Sequence, residues 1–493
     1  MPRTLLPALL LGALVAMPAH AQTDPGQDTR LRLDQQLDRQ TTRRERDTHD
    51  RAEALDAAPA SITLDGEIYA VGTSADNIGR ALYAALSHRQ WSDVRRFLAA
   101  YAALPERDPL LLLYARGGLA RHDGALDAAE RAYRQLLQAR PDFLPGQLEW
   151  ARLLFERHKD RAAHTAFETI RARLATDPAG GAAILRSVDL FLAALRQRGG
   201  WQGSIALGPS YSSNLNQSSA SYTCLVAATD GNCLFERKVP DPITAASVSV
   251  EAAVSRRVAL AGQDGLRGRA LLFGDLYPRW QDYTQTTLIT RIGYDRQTAS
   301  DALTVGPSFD LGTLGSALLY RAWGVNGEWT HRLSPRTQLK LEGNYRHYAY
   351  PLRGYRAQDG DQADLFLTGW SLMPGGLTLI AGGDWVDKGA DAPVDAWRQY
   401  GARLGIGKTL GRSASLLLLG AARRRDYGGY SPLFEAKRRD REQLLTGIMR
   451  FPGLAVHGLI PELLVQHSRT RSTIGWLYSW HRTSASLRLS HVF

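Results

Sequence analysis

The sequence predicts a two-domain protein, in which an α-helical repeat domain precedes a transmembrane antiparallel β-barrel of about 14 strands. Three observations support this fold class. Helical segments repeat at a spacing of about 34 residues. Beyond Trp201, apolar and polar residues alternate, and the connections between the alternating runs are short and long in turn. Short turns on one side and long loops on the other are typical of outer-membrane barrels.

Residues 1–21 are organised like a secretory signal peptide. Met1–Arg3 is positively charged, Leu5–Pro18 is apolar, and Ala19-His20-Ala21 is a small-x-small cleavage site. We therefore expect cleavage after Ala21 and export to a Gram-negative outer membrane. The formal net charge of +11 then favours anionic lipids, lipopolysaccharide or an acidic translocated substrate over nucleic acid, although a merely solvated basic surface is an alternative.

Residues 22–72 form a polar leader that is rich in Arg, Asp and Gln. We expect it to be mobile or a weakly held helix, because it contains few large apolar side chains.

Residues 73–199 have the apolar spacing of helices and match a TPR-like pattern of small, aromatic and proline positions. The matching positions are Gly117, Ala129, Tyr133 and Pro141 in one unit, and Ala151, Ala163 and Phe167 in the next. Such repeats build concave surfaces that bind extended peptides, so we expect a periplasmic binding domain rather than a simple helical spacer.

Residues 201–493 contain the alternating runs, and the last run ends in the aromatic residue Phe493. We expect this residue to act as the barrel-terminal signal at a membrane interface. A soluble β-sandwich is the alternative, but it does not explain the order of short and long connections. The polar positions that we expect to line the lumen include Lys340, Glu342, Arg346, Arg403, Arg482 and Arg488.

Two cysteines, Cys224 and Cys233, lie in the long connection 217–244. In an oxidising compartment, such a close pair favours one disulfide over two free thiols. Two basic clusters, 423–425 and 437–439, border another long connection, where they could meet lipopolysaccharide phosphates or remain solvated. Pro209 lies within the first strand and indicates either a local bulge or a weak closing seam.

No pattern in the sequence predicts catalysis, a cofactor or a metal. The segment ARLGIGKT at 402–409 resembles a phosphate loop, but it leads into a strand rather than a helix. The histidines lack metal-ligand spacing, and no nucleophile elbow of the form G-x-S-x-G is present. We therefore expect a protein that is not an enzyme.

The strand sequences GSIALGPSYSSNLNQ at 203–217, IPELLVQHSRTRS at 460–472 and YSWHRTSASLRLSHVF at 478–493 resemble the Slam family, the surface lipoprotein assembly modulators. The resemblance implies an outer-membrane translocon whose helical domain engages a client protein or its periplasmic chaperones, and whose barrel passes the client outward. The implied clients are surface lipoproteins, such as those that capture host iron carriers, or secreted haem-binding relatives.

The other expected partners are outer-membrane lipids and the barrel assembly machinery, and we expect the chain to be a monomer. The alternatives are a polysaccharide-export porin with periplasmic TPR helices and a small-solute porin.

Overall fold

A computed structural model describes residues 25–56, 73–175, 182–229, 232–411 and 413–493. The predicted signal peptide, residues 1–21, and the stretch 57–72 lie outside the described residues. The described helices are α1 (Pro25–Asp56), α2 (Ala75–Ser87), α3 (Trp91–Ala102), α4 (Pro109–His122), α5 (Leu126–Ala139), α6 (Leu144–Glu156), α7 (Asp160–Ala175), α8 (Ala182–Gly199) and α9 (Gly475–Tyr478). Among the helices in these ranges, none is both long enough and apolar enough to cross a membrane.

Helices α2 to α7 pack in sequence as three helical hairpins, followed by α8. Ser74 caps α2 by accepting a hydrogen bond from the backbone of Asn77, and Asp108 caps α4 through Leu110 in the same way. The residues that the sequence assigned to TPR packing lie in these hairpins. Ala129, Tyr133, Ala151, Ala163 and Phe167 are fully buried, Gly117 packs against the Tyr133 ring, and Pro141 follows the end of α5.

The second domain is a closed antiparallel barrel of 14 strands, which confirms the predicted fold class. In chain order the strands are β1 (Trp201–Ser212), β2 (Tyr222–Ala227), β3 (Cys233–Lys238), β4 (Ala245–Ala259), β5 (Asp264–Leu276), β6 (Gln285–Gln297), β7 (Asp301–Leu314), β8 (Ala317–Ser334), β9 (Thr337–Ala349), β10 (Gly360–Leu372), β11 (Leu377–Lys388), β12 (Trp397–Leu410), β13 (Ala414–Ser431), β14 (Ala436–Arg450), β15 (Leu459–Ser472) and β16 (Trp480–Val492). Strands β2 and β3 form a separate hairpin between β1 and β4, where Cys224 and Cys233 are joined in a disulfide with an S–S distance of 1.99 Å.

The two faces of the barrel wall differ as a membrane barrel requires. Outward-facing side chains such as Ile205, Leu404 and Leu487 are apolar and exposed on the outer surface. Their neighbours in sequence point inward, and the inward row of β9 is polar and buried from Gln338 to Arg346. Because successive side chains of a strand alternate between faces, half of each strand stays polar although the barrel presents an apolar belt to lipid.

The helical domain sits at one end of the barrel, which we call the proximal mouth; the long loops surround the other end, the distal mouth. Asp160 at the start of α7 pairs with Arg198 of α8 at 2.5 Å and with Arg257 of β4 at 2.7 Å. The side-chain amide of Gln263, in the β4–β5 turn, donates to the backbone carbonyl of Arg157 at 3.0 Å. Ion pairs between side chains and a hydrogen bond from a side chain to the backbone therefore hold the two domains together.

Residues 25–56 of the leader form a helix whose N-terminal part lies inside the barrel. Of the two alternatives predicted for the leader, this part is therefore a helix and not a mobile segment. Leu33 and Leu37 pack into a buried cluster with side chains of the barrel wall, and Leu31 packs on Phe366 and Val386. The leader could be polar and still ordered because its surroundings, the lumen wall, are polar as well. Helix α1 is therefore a plug.

Candidate functional site

The candidate functional site is the barrel lumen with α1 in it. Near the distal mouth, Asp28 accepts two hydrogen bonds from Arg423 of β13, at 2.6 and 2.5 Å. Farther along, Arg30 pairs with Glu342 of β9 and Arg32 pairs with Glu251 of β4. These contacts fix the first turns of α1 to opposite walls of the barrel.

The helical repeat of α1 distributes its charges over the wall. Arg30, Asp34 and Asp38 are spaced four residues apart and so share one face of the helix. Asp34 pairs with Arg269 at 2.8 Å and with Arg291 at 3.3 Å. Asp38 pairs with Arg269 at 3.0 Å, and with Lys340 at 2.8 Å. Every charge on this face meets the opposite charge on the wall.

An acidic cluster at mid-lumen is neutralised by cations. Oxygen atoms of Asp34, Glu328 and Glu342 lie within 4.8 Å of one another, close enough to hold a metal ion. However, Arg291 and Lys340 contact Glu328 at 2.8 and 3.0 Å. Because guanidinium and ammonium groups already compensate these carboxylates, the arrangement acts as part of an ion-pair network.

The proximal end of α1 connects the plug to the helical domain. Glu45 pairs with Arg198 of α8 at 3.1 Å, and the same guanidinium reaches Asp160. Arg198 also lies over the ring of Phe155, with its Cζ 4.1 Å from the ring centroid. Contacts therefore run without a break from the lumen through Glu45 and Arg198 to α6 and α7.

The lumen-lining residues predicted from the sequence all lie on the inner face of the barrel. Lys340 and Glu342 hold α1, as described above. Arg346 pairs with Asp310 at 2.5 Å and also with Asp364. The others are placed as follows: Arg403 lies 3.5 Å from Asp384, Arg488 pairs with Glu251 at 2.6 Å, and Arg482 lines a cavity near the distal mouth.

The two basic clusters were predicted either to meet lipopolysaccharide phosphates or to remain solvated, and both alternatives are wrong for the residues that face inward. Arg423 and Arg425 are buried in the lumen, and Arg438 is buried against Asp440 at 2.6 Å. Arg424, Lys437 and Arg439 face outward, and of these Arg424 and Arg439 pair with Asp426. Strand alternation continues through these clusters and sends every second charge into the lumen.

The cavity near the distal mouth has a volume of about 220 Å³ and reaches the first turns of α1 at Gly26 and Thr29. Its wall includes Tyr348 and Tyr350, whose ring centroids lie 4.9 and 5.4 Å from the Lys388 ammonium. The plug therefore ends below a small polar vestibule.

The helical domain carries an aromatic groove of about 440 Å³ between α2 and α4. Tyr83 and Tyr114 lie on its wall with ring centroids 6.4 Å apart, and Phe143 meets Tyr114 edge-on at 5.5 Å. Asp76 and Arg140 add opposite charges to its lining. Burial, reinforced by the charge of Glu149, raises the pKa of Tyr114, so its hydroxyl stays protonated at neutral pH. Such a groove suits an apolar side chain flanked by polar backbone.

His158 lies where the helical domain meets the barrel. It has a positive φ of 54°, and its Nδ1 is buried without a hydrogen-bond partner among the described residues. Burial, together with the charges of Arg198, Arg257, Arg332 and Arg267, holds the pKa of His158 well below its usual value. The ring is therefore neutral in the folded protein.

Acidification should loosen this junction. Because the folded state resists protonation of His158, it binds fewer protons than the unfolded state below pH 6.5, and the free energy of unfolding falls as the pH drops. The expected loss is about 1.4 kcal/mol at about pH 5.5. It can be measured from the helical circular dichroism signal during thermal unfolding. His158→Asn, which tolerates a positive φ and does not titrate, should remove this component; an unchanged pH slope in that variant would contradict the assignment.

Sequence reasoning missed the plug residues Asp28, Arg30, Arg32, Asp34 and Asp38. The available signal was the group Leu31, Leu33 and Leu37, together with a run from Gln27 to Asp56 that contains no proline or glycine.

Comparisons with known proteins agree with this architecture. The family profile "Surface lipoprotein assembly modifier" matches residues 201–493, and the profile of that family's N-terminal TPR repeats matches residues 70–167. The hemophilin secretion modulator of Acinetobacter baumannii is 31% identical over 479 residues, which cover 95% of this chain and 96% of that protein. Surface lipoprotein assembly modifier 1 of Neisseria meningitidis serogroup B is 24% identical over 431 residues, with 83% and 81% covered.

Among solved structures, the outer membrane channel DcaP of A. baumannii matches 60% of this chain and 96% of its own, with 10% identity and a TM-score of 0.34. A bacterial polysaccharide outer membrane secretin matches 60% and 99%, with 8% identity and a TM-score of 0.32. At such low sequence identities and TM-scores, these solved structures indicate no function for the chain. The barrel fold and the named relatives assign the chain to the outer membrane.

Proposed function

Because the chain belongs to the surface lipoprotein assembly modifier family, we propose that it is an outer-membrane translocon that delivers client proteins to the cell surface. The clients are surface lipoproteins or secreted haem proteins of the kind named in its relatives. The helical domain lies in the periplasm and engages the client or its chaperone, and the barrel passes the client outward without catalysing a reaction. The observation that carries the proposal is a lumen closed by an N-terminal helix that is joined to the helical domain.

The nature of the α1 contacts supports a removable plug. A buried ion pair gains Coulomb energy but loses the hydration of both partners, so its net contribution to stability is small. Only a few leucines of α1 pack on apolar wall residues. Binding energy from a client can therefore offset the free energy that holds α1, and water can replace the polar contacts after it leaves.

The same plug argues against a porin. A small-solute porin needs an open lumen, whereas α1 fills this one along the axis between Asp28 and Asp38. Family membership gives no support to polysaccharide export. A gated passage for polypeptides fits both the plug and its attachment to a peptide-binding type of domain.

Surface proteolysis of candidate clients tests the proposal. Cells with and without this protein would express tagged candidate surface lipoproteins and secreted haem-binding proteins, and a protease would be added outside the cells. We expect at least one client to be digested only when the translocon is present. Unchanged exposure of every candidate would refute the proposal.

The aromatic groove is the proposed first contact with the client. Tyr83 is 45% exposed in the groove, so Tyr83→Ser should weaken client binding by about 1–2 kcal/mol, the cost of losing an aromatic contact, while the domain stays folded. The affinity of the purified protein for a client would be measured by calorimetry. Arg95→Ala, at an exposed side chain of α3 outside the groove, is the control. Equal affinities for wild type and Tyr83→Ser would remove the groove from the mechanism.

A further inference from the structure

The barrel closes between β1 and β16, and this seam has a gap in its hydrogen-bond ladder. The pairing keeps one register from Ser204↔Val492 to Ser212↔Ser484, but it skips Gly208 and Pro209. On its other side β1 pairs with β4 without interruption. A β-bulge would shift the register, so the bulge interpretation of Pro209 is wrong.

The missing donor explains the gap. Gly203 and Ser213 donate their backbone N–H groups towards β16, at 3.1 and 3.0 Å. Since alternate residues of a strand face the same neighbour, Pro209 also faces β16, where its register partner is Leu487. Proline has no N–H group to donate, and the seam therefore lacks a bond near its midpoint.

At the level of Gly208 and Pro209, ion pairs between side chains span the seam and form what we call the Arg488 bridge. Arg488 of β16 pairs with Glu462 of β15 and, at 2.6 Å, with Glu251 of β4, which lies on the far side of β1. The strand between them presents Gly208 at this position, where a Cβ atom would lie only 2.0 Å from the Leu487 carbonyl oxygen. The glycine thus lets the β16 backbone lie close to β1 at the point where the Arg488 side chain crosses to Glu251.

Helix α1 covers this bridge. Arg32 of α1 contacts Glu251. Gln36 of α1 accepts a hydrogen bond of 2.8 Å from Arg450, and the Arg450 guanidinium also pairs with Glu462 at 2.5 Å. The Arg488 side chain is only 1% exposed. The plug therefore excludes water from the ion pairs that close the seam.

We propose that the β1–β16 seam is a lateral exit to the bilayer and that α1 keeps it shut. When α1 leaves, Glu251 loses Arg32 and water enters, so the Arg488 bridge is reduced to a solvated ion pair, which contributes little to holding the strands together. The pairing of β6 with β7 has the same gap, at Gly306 and Pro307, but a three-residue turn joins those two strands. No turn joins β1 to β16, so the incomplete ladder at Pro209 then becomes the weakest junction of the wall. An opening there lets the acyl chains of a lipid-bearing client remain among lipids while its polypeptide crosses the polar lumen. The opening of the seam does not depend on the proposed function. The use of this opening by a lipidated client does rest on the proposed function.

Cysteine pairs can measure the opening without a client. Ser210 and Ser486 face each other across the seam with Oγ atoms 2.7 Å apart, in a non-hydrogen-bonded pair whose side chains lie close. Thr286 and Thr313 on β6 and β7 have the same Oγ separation, and the pairing of these strands has the same kind of gap, so they provide a control pair that lacks only the Arg488 bridge. Both S210C/S486C and T286C/T313C would be made in the full chain, where Cys224 and Cys233 are already bonded to each other.

The experiment compares each pair with α1 intact and with Arg32→Ala in isolated outer membranes. We expect Arg32→Ala to raise the rate of maleimide labelling of the reduced seam pair about tenfold, equivalent to about 1.4 kcal/mol of opening free energy, and to leave the control pair unchanged. Glu251→Gln, which neutralises the shared partner of Arg32 and Arg488, should have the same effect. Equal labelling at the two pairs in all these variants would overturn the proposal.

A second measurement separates the exit from the proposed function. Oxidising S210C/S486C should abolish the display of a lipidated client, and adding a reductant should restore it; oxidising T286C/T313C should do neither. Normal display through the oxidised seam would refute the lateral exit while leaving translocation intact. If the reduced seam variant and the wild type both fail to display any client, the proposed function fails instead.

Discussion

Deleting residues 25–40 is expected to turn a closed barrel into an open pore. An α-helix with its side chains is about 10–12 Å wide, and α1 occupies that width in the lumen with contacts to opposite walls. The wild-type protein should conduct little in a planar bilayer, whereas the deletion variant should give discrete conductance steps. Cells that carry the variant should also become sensitive to antibiotics that are normally excluded by the outer membrane.

A charge exchange at one contact provides the control. Asp28 binds Arg423 through both carboxylate oxygens, and the Arg423 side chain is 3% exposed. Each single exchange brings two like charges together at this contact, which repel each other in the lumen, so Asp28→Arg and Arg423→Asp should each increase conductance. The double variant should return towards the closed state. Conductance from the deletion variant that is as low as that of the wild type would show that α1 does not close the lumen.

The barrel could be predicted from the sequence because its signals are local. The alternation of apolar and polar residues in each strand indicates which side chains face lipid. In β9, Leu339 and Leu341 alternate with Lys340 and Glu342, and the two sets do face opposite sides of the wall. The order of short and long connections then fixes the number of strands and which connections share a mouth. Neither signal depends on the contacts that side chains make across the lumen.

The plug could not be predicted because its order comes from complementarity with a distant surface. Arg30 and Glu342 are 312 residues apart in the chain, and neither residue alone indicates the other. A polar segment with few leucines is typical of a disordered leader in water. It becomes ordered here only because the lumen supplies matching charges together with small apolar patches for Leu31, Leu33 and Leu37.

The seam shows the same limit on a smaller scale. Pro209 could be recognised as a lost donor, but the close approach of Gly208 to the β16 backbone and the crossing of Arg488 to Glu251 could not. Arg488 was predicted to line the lumen from its place in the alternation of β16. Its bridging contact required the three-dimensional register of β4, β1 and β16.

Gly117→Ala is expected to destabilise the helical domain severely, although it adds a single methyl group. A Cβ atom at Gly117 would lie 2.6, 2.8 and 2.9 Å from three atoms of the Tyr133 ring, which is fully buried. The ring has no space to withdraw, and overpacking of this kind costs about 3 kcal/mol. The midpoint of thermal unfolding, followed by helical circular dichroism, should therefore fall for this variant.

The next residue in the same helix is the matched control. At Gly118 the nearest atom to an added Cβ is Leu86 Cδ2 at 3.2 Å, the end of a flexible side chain. Gly118→Ala should therefore be tolerated, since replacing glycine within a helix by alanine also gains about 0.5–1 kcal/mol. Combining Gly117→Ala with Tyr133→Ala should recover less than the full loss, because the second change removes the clash and leaves a cavity. Equal midpoints for Gly117→Ala and Gly118→Ala would mean that the close contact between α4 and α5 does not hold this repeat together.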